Sequence, residues 1–308
     1  LTRAVTLGDD DAPTNFLLGL AYLQSEKYEI AAVHLQRCVE LDPKHAMGWD
    51  SLGLAYDRMQ DKKRAVEAFQ RYVELNPENS QGWYNLGTTC ADLKDMQRAA
   101  EAFLHCVELD PKNRDGWFKL GAVLGSLEEA ELAEEIFRHC VELNPNNSSV
   151  WYNLGISYNK LKDVNRAVEA FQRCVELDPD NSDGWYRLGA LYAELKDMDR
   201  LAETLQRYLE LRPDDSQGWQ NLALALADTV PIHDWQDPRI ERTKDALRKV
   251  IELNPENGTA HHMLAIILQN QGLDGEAVEH LSLAEKLGTN RDATLGKRGG
   301  GVKACWPE

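Results

Sequence analysis

The chain has 308 residues, 43% of them hydrophobic, and its 51 Asp and Glu against 34 Lys and Arg give a formal net charge of −17. That length admits either two globular domains or one elongated repeat array. The acidity argues against a nucleic-acid partner, whose phosphates need clustered Lys and Arg, and no apolar run is long enough to predict direct membrane insertion.

In chain order, residues 1–11 begin Leu1-Thr2-Arg3-Ala4-Val5 without an initiator Met, which reads as the end of a second helix from a preceding repeat. From residue 12 a period of 34 governs the chain. Pro43, Pro77, Pro111, Pro145, Pro179 and Pro213 keep that step, and so do Trp49, Trp83, Trp117, Trp151, Trp185 and Trp219. The units are 12–45, 46–79, 80–113, 114–147, 148–181, 182–215, 216–257 and 258–291, with Leu18, Leu52, Leu86, Leu120, Leu154, Leu188, Leu222 and Leu264 at their seventh position. Within 148–181, Trp151, Leu154, Gly155 and Tyr158 recur at steps of three and four, predicting a helix with one apolar face. After the polar break at Lys162-Asp163, Ala167, Val168, Phe171, Cys174 and Val175 predict a second helix, which Pro179 ends. Glycine at the eighth position, as in Gly87 and Gly155, lets the two helices approach closely. The prediction is an all-α solenoid of eight antiparallel helix pairs over 12–291. Pro255 follows Pro213 by 42 residues, so the unit 216–257 carries an insertion of eight near 230–237. Its Trp235 lies outside the repeat pattern and reads either as a second contact site or as a cover for its own helix pair. The tail, 292–308, contains Gly299-Gly300-Gly301 and is expected to be flexible.

Catalytic and cofactor signatures are not found. Cys38, Cys106, Cys140 and Cys174 share one repeat position and read as small core residues, since equivalent positions lie a whole repeat apart. Buried thiols predict a cytoplasmic or other reducing compartment. His105-Cys106, His139-Cys140 and His261-His262 are neighbours on helices, pointing about 100° apart, so no metal site is expected. There is no phosphate loop, nucleophile elbow or HExxH helix, so neither enzyme activity nor a cofactor is predicted.

Trp-x-x-Leu-Gly-x-x-Tyr followed by Ala, Phe and Pro at fixed offsets resembles the tetratricopeptide repeat, and the resemblance covers 12–291. Asn15 and His261 in place of Trp, Ala223 and Ala265 in place of Gly, and Thr289 in place of Pro depart from the pattern. The resemblance implies a right-handed superhelix whose first helices line a concave groove. Repeat position five then places Phe16, Asp50, Tyr84, Phe118, Tyr152, Tyr186 and Gln220 along that groove, and position six adds Asn85, Lys119, Asn153, Arg187 and Asn221. Rings supply contact area with few rotors to freeze, and amides supply both a donor and an acceptor for an extended peptide. The clamp by which chaperone-binding members take a C-terminal carboxylate needs Lys and Asn at positions five and nine of one repeat, and no repeat has that combination. The expected role is a noncatalytic scaffold or adaptor binding a protein or peptide partner. Two alternatives stay open: a substrate-recruiting arm of a larger, glycosyltransferase-like enzyme, and a self-assembling structural protein. The sequence leaves the oligomeric state undecided.

Overall fold

In a computed structural model of the chain, residues 10–230 and 234–288 are described; the expectations for residues 1–9 and for the tail lie outside them. The described residues form sixteen α-helices. They are α1 Ala12–Gln24, α2 Tyr28–Leu41, α3 Ala46–Arg58, α4 Lys62–Leu75, α5 Ser80–Asp92, α6 Met96–Leu109, α7 Arg114–Ser126, α8 Ala130–Leu143 and α9 Ser148–Lys160, then α10 Val164–Leu177, α11 Ser182–Leu195, α12 Met198–Leu211, α13 Ser216–Thr229, α14 Pro238–Leu253, α15 Gly258–Asn270 and α16 Asp274–Lys286. The chain divides into two compact units, residues 1–162 and 163–308. Within each, consecutive helices joined by short turns pack side by side as antiparallel hairpins. The chain is thus an all-α helical-repeat solenoid.

The helix ends follow from the sequence. Asn79, Asn113 and Asn181 each accept a hydrogen bond from the third backbone N–H of the first helix they precede, at 2.8–2.9 Å. Asp61, Asp95, Asp163 and Asp197 cap the second helices through the N–H of Arg64, Arg98, Arg166 and Arg200. Between the two helices of seven repeats, one residue turns the chain in the left-handed conformation: Glu26, Gln60, Lys94, Glu128, Lys162 and Lys196 have φ of 56–65°, and Gly272 takes this place with φ 78°. Only in the last case is the residue the one that adopts it without strain.

The core is built from the repeat's fixed positions. All eight position-seven leucines are at most 4% exposed. Phe69, Phe103 and Phe137 are 2% exposed or less, each on the second helix opposite the glycine of its own first helix. A methyl group at Gly53, Gly87 or Gly121 would come within 2.6–2.9 Å of the facing ring. The poor helix former is tolerated because only hydrogen fits beneath the ring.

The shared period of Pro and Trp has a physical cause that the sequence reading left unexplained. In six units the indole Nε1–H donates to the carbonyl of the proline six residues earlier: Trp49 to Pro43, Trp83 to Pro77, Trp117 to Pro111, Trp151 to Pro145, Trp185 to Pro179 and Trp219 to Pro213, at 2.8–3.0 Å. Each bond fastens a first helix to the turn that delivers it. One departure from Trp keeps this bond. His261 Nε2 lies 3.1 Å from the Pro255 carbonyl, which only accepts, so Nε2 carries the proton. Its Nδ1 is then bare and accepts from His280 Nδ1–H at 2.8 Å. Asn15 donates through Nδ2 to the Asp11 carbonyl at 3.0 Å and to Asp10 at 2.9 Å.

Candidate functional site

In the first unit, the position-five residues on α1, α3, α5, α7 and α9 are half-buried. Their rings lean on the packing beneath. Tyr84 meets Phe103 edge-on at 5.8 Å, Phe118 meets Phe137 at 6.0 Å, and Phe16 sits 4.6 Å from the His45 ring. They therefore complete the core with one edge and leave the other to the surface. Tyr152 is likewise half-buried.

Asp50 on α3 is half-buried among these rings. Burial raises its carboxyl above the usual range, and a hydrogen bond from the Asn85 side chain on α5 opposes that rise. Asn85 also accepts from Gln81 Nε2 at 2.9 Å, so its amide is oriented with Nδ2 toward Asp50. Asn153 donates to the Ser149 carbonyl one turn back at 2.8 Å, and Lys119 is exposed. The same unit exposes three apolar side chains that the sequence reading missed, Leu17 on α1 and Met47 and Leu54 on α3. Leu17 and Met47 are 50% exposed and Leu54 is 37% exposed. Met47, Asp50 and Leu54, at steps of three and four, share one face of α3. For Met47 the signal was available at repeat position two, where the other repeats carry Pro or polar residues, whereas Leu54 shares position nine with Leu20, Ile156, Leu224 and Ile266.

The second unit differs. Tyr186 is half-buried 5.6 Å from Tyr208, and Arg187 is exposed. Gln220 accepts from Asn257 Nδ2 at 3.0 Å. Asn221 corrects the expectation of an open amide row: it is 4% exposed, with its Oδ1 taken by Gln217 Nε2 at 3.2 Å. In the inserted segment, Trp235 is half-buried, and its carbonyl accepts from Gln271 Nε2 at 3.1 Å. Gln271 in turn accepts from Lys244 Nζ at 2.8 Å, so this part of the insertion is tied to its neighbours. Asp237 caps α14 and pairs with Arg239, whose hydrogen bonds hold the carboxyl down at about 2.

The described cysteines are free and buried. Burial pushes the thiols of Cys38, Cys106 and Cys174 up to about 11 and that of Cys140 to about 12, which keeps them protonated and unreactive. Cys305 lies outside the described residues. Among the described residues no helix is long and apolar enough to cross a membrane, and no group of three or more His, Cys, Asp or Glu is placed to hold a metal ion.

The repeated hairpins, with polar and aromatic groups presented once per first helix, define the class as an all-α helical-repeat protein. Residues 12–45, 46–79 and 158–226 match tetratricopeptide-repeat families, and residues 72–177 match the family described as the cytochrome c-type biogenesis protein H TPR domain. The chain is a tetratricopeptide-repeat protein. Over 49 residues, 16% of this chain, it is 49% identical to the TPR repeat-containing protein PA0015 of Pseudomonas aeruginosa, and the match spans about half, 47%, of that relative. Three solved structures are similar in fold. MamA from Desulfovibrio magneticus RS-1 is 24% identical with a TM-score of 0.52, over 55% of this chain and 96% of that one. YrrB, described as a TPR protein with an unusual peptide-binding site, is 22% identical with a TM-score of 0.52, over 64% and 98%. PilF of Pseudomonas aeruginosa is 21% identical with a TM-score of 0.51, over 71% and 97%.

Proposed function

We propose that the chain is an interaction scaffold whose first-helix face in the unit 10–162 binds a peptide segment of a partner protein. The observation that carries this reading is the cluster on α1, α3 and α5. Exposed Leu17, Met47 and Leu54 lie on the same first helices as half-buried Phe16 and Asp50, and Asp50 is linked to Asn85 beside Tyr84 on the next first helix. Exposed apolar side chains grouped around an oriented polar pair are the composition of a binding surface. The apolar groups supply area, while the Asp50 carboxylate takes a peptide N–H or a cationic side chain. Lys119 and Asn153 extend the same row of positions along the unit. YrrB shares the fold and is described as having a peptide site, which gives precedent for the architecture and not for these residues.

Peptides selected from a random displayed library on the wild-type protein test this reading. A Met47→Ser, Leu54→Ser variant should bind the selected peptides about tenfold or more weakly, since two apolar anchors are lost. Retained affinity in a variant whose circular dichroism is unchanged would place the peptides elsewhere.

A further inference from the structure

A second surface departs from the repeat in a different way. Along the seams between successive second helices, two seams carry a full polar triad, Gln at position 25 of one unit with Tyr at position 11 and Arg at position 19 of the next, and three more keep two of its members: Gln70 with Arg98, Tyr158 with Arg166, and Gln206 with Arg242. In the first seam Tyr56 Oη lies 3.4 Å from Gln36 Oε1, and the Arg64 guanidinium sits 4.4 Å over the Tyr56 ring. In the second, Arg98 donates to Gln70 Oε1 at 3.4 Å. In the other unit, Gln172 donates to Tyr192 Oη at 2.6 Å, with Arg200 over the Tyr192 ring. These seams are open grooves, of about 700 Å³ at Gln36, Tyr56 and Arg64 and about 670 Å³ at Gln172, Tyr192 and Arg200.

In the third seam, between α6 and α8, the three positions are Leu104, Leu124 and Leu132. Leu104 is 46% exposed and Leu132 is 49% exposed, while Leu124 is partly buried against the core. Ile136 adds to them where the flanking second helices carry Ala102 and Ala170. Hydration of exposed leucine is unfavourable, and in this seam alone leucine fills all three positions. The rim changes as well. Glu128, Glu129, Glu131, Glu134 and Glu135 stand between Leu127 and Phe137 with no Lys or Arg among them, where four other second helices are preceded by Asp and reach Arg three residues later. Glu101, Glu128, Glu129, Glu131 and Glu135 are exposed.

We propose that this leucine seam docks an amphipathic α-helix of a partner protein whose apolar face is flanked by Lys and Arg. Charge complementarity with the glutamate rim selects the basic flanks. The leucines offer nothing to the main chain of an extended segment, whereas a helix satisfies its own backbone and needs only apolar contact. The seam lies on the second helices and is independent of the first-helix face.

The probe is a fluorescein-labelled peptide of Leu and Lys, about 18 residues long to favour helix, with its leucines on one helical face. A peptide of the same composition with dispersed leucines is the control. Anisotropy is read near 0.15 M salt, where long-range charge attraction is screened. The patterned peptide should bind at least about tenfold more tightly than the control, and Leu104→Gln with Leu132→Gln should abolish that difference. This charge-neutral pair gives position 104 the residue other seams carry, so the fold should be kept, as a thermal melt verifies. Glu128→Gln with Glu131→Gln should weaken the patterned peptide and flatten its salt dependence. Equal binding of the two peptides, or an unchanged difference in the leucine variant, overturns the proposal. So does self-association of the wild type in sedimentation velocity that the leucine variant loses, since the occupant is then a second copy. Met47→Ser with Leu54→Ser should leave patterned-peptide binding unchanged, and loss there would assign the peptide to the first-helix face.

Discussion

Replacing Gly53 by Ala tests the packing rule on which every hairpin depends. The added methyl would lie 2.6, 2.7 and 2.9 Å from Phe69 Cε1, Cδ1 and Cζ, well inside the 3.5–4.0 Å optimum for carbon pairs. Phe69 is 1% exposed, so its ring has no free space to enter. Overpacking of this kind costs about 1–3 kcal/mol, and the better helix propensity of Ala returns about 1 kcal/mol. The difference is about 0–2 kcal/mol, and three ring carbons inside 3 Å with no free space for the ring put the expected loss near the upper end. The unit 216–257 suggests the compensation, since there Ala223 occurs with Leu247 in place of Phe and both are fully buried. Phe69→Leu alone should destabilise by about 1–2 kcal/mol through the space it leaves. The double variant should be more stable than the sum of the two single losses by about 1 kcal/mol or more. Urea unfolding followed by far-ultraviolet circular dichroism measures all three differences against wild type. A neutral or stabilising Gly53→Ala, or strict additivity in the double variant, would refute the reasoning.

Other consequences are equally direct. Trp117→Phe removes the indole donor to Pro111 and part of a half-buried ring, and should cost about 1–2 kcal/mol in the same assay; a change below about 0.3 kcal/mol would mean that the bond sets geometry without adding stability. Burial, with the neighbouring His261, holds the His280 pKa below the ordinary histidine value. The unfolded chain then takes up the proton more readily, so this contribution is full above about pH 6.5 and is lost as pH falls from there through the lowered folded value. Between about pH 7.5 and about pH 5 the urea midpoint of the wild type should fall further than that of His280→Gln, and equal falls would contradict the assignment.

The fold was legible in the sequence because each hairpin writes its core into fixed positions. Leu at position seven, Gly at eight and the large residue of the second helix each have one place to go, and a period of 34 repeats the statement until chance is excluded. The Pro and Trp periods were visible too, but their connection is a hydrogen bond between a ring nitrogen and a main-chain carbonyl, which side-chain identity alone does not reveal. His261 reads as a departure from the pattern, yet it keeps a polar bond to the carbonyl six residues earlier, whereas Asn15 bonds the carbonyl at the start of its own helix.

The binding surfaces were less legible, since exposure at a given repeat position depends on local packing. Asn85 and Asn221 occupy the same position, but the first orients a half-buried carboxylate and the second is enclosed. Met47 and Leu54 were missed because the sequence reading followed two rows of positions and exposure belongs to the whole helix face. The leucine seam was written in the sequence as the loss of Gln, Tyr and Arg together. It acquires meaning only when the other seams show those residues touching.

The central claim is that peptide is bound on the first-helix face of the unit 10–162, and site-specific photocrosslinking tests it most directly. Benzoylphenylalanine is placed at position 85 on α5 in one protein and at position 71 on the second helix α4 in another, and each is irradiated with the library-selected peptide. Efficient crosslinking from position 85 and little from position 71, read by mass spectrometry, is the predicted result. Crosslinking from position 71 with none from position 85 would contradict the account and move the site to the second-helix surface.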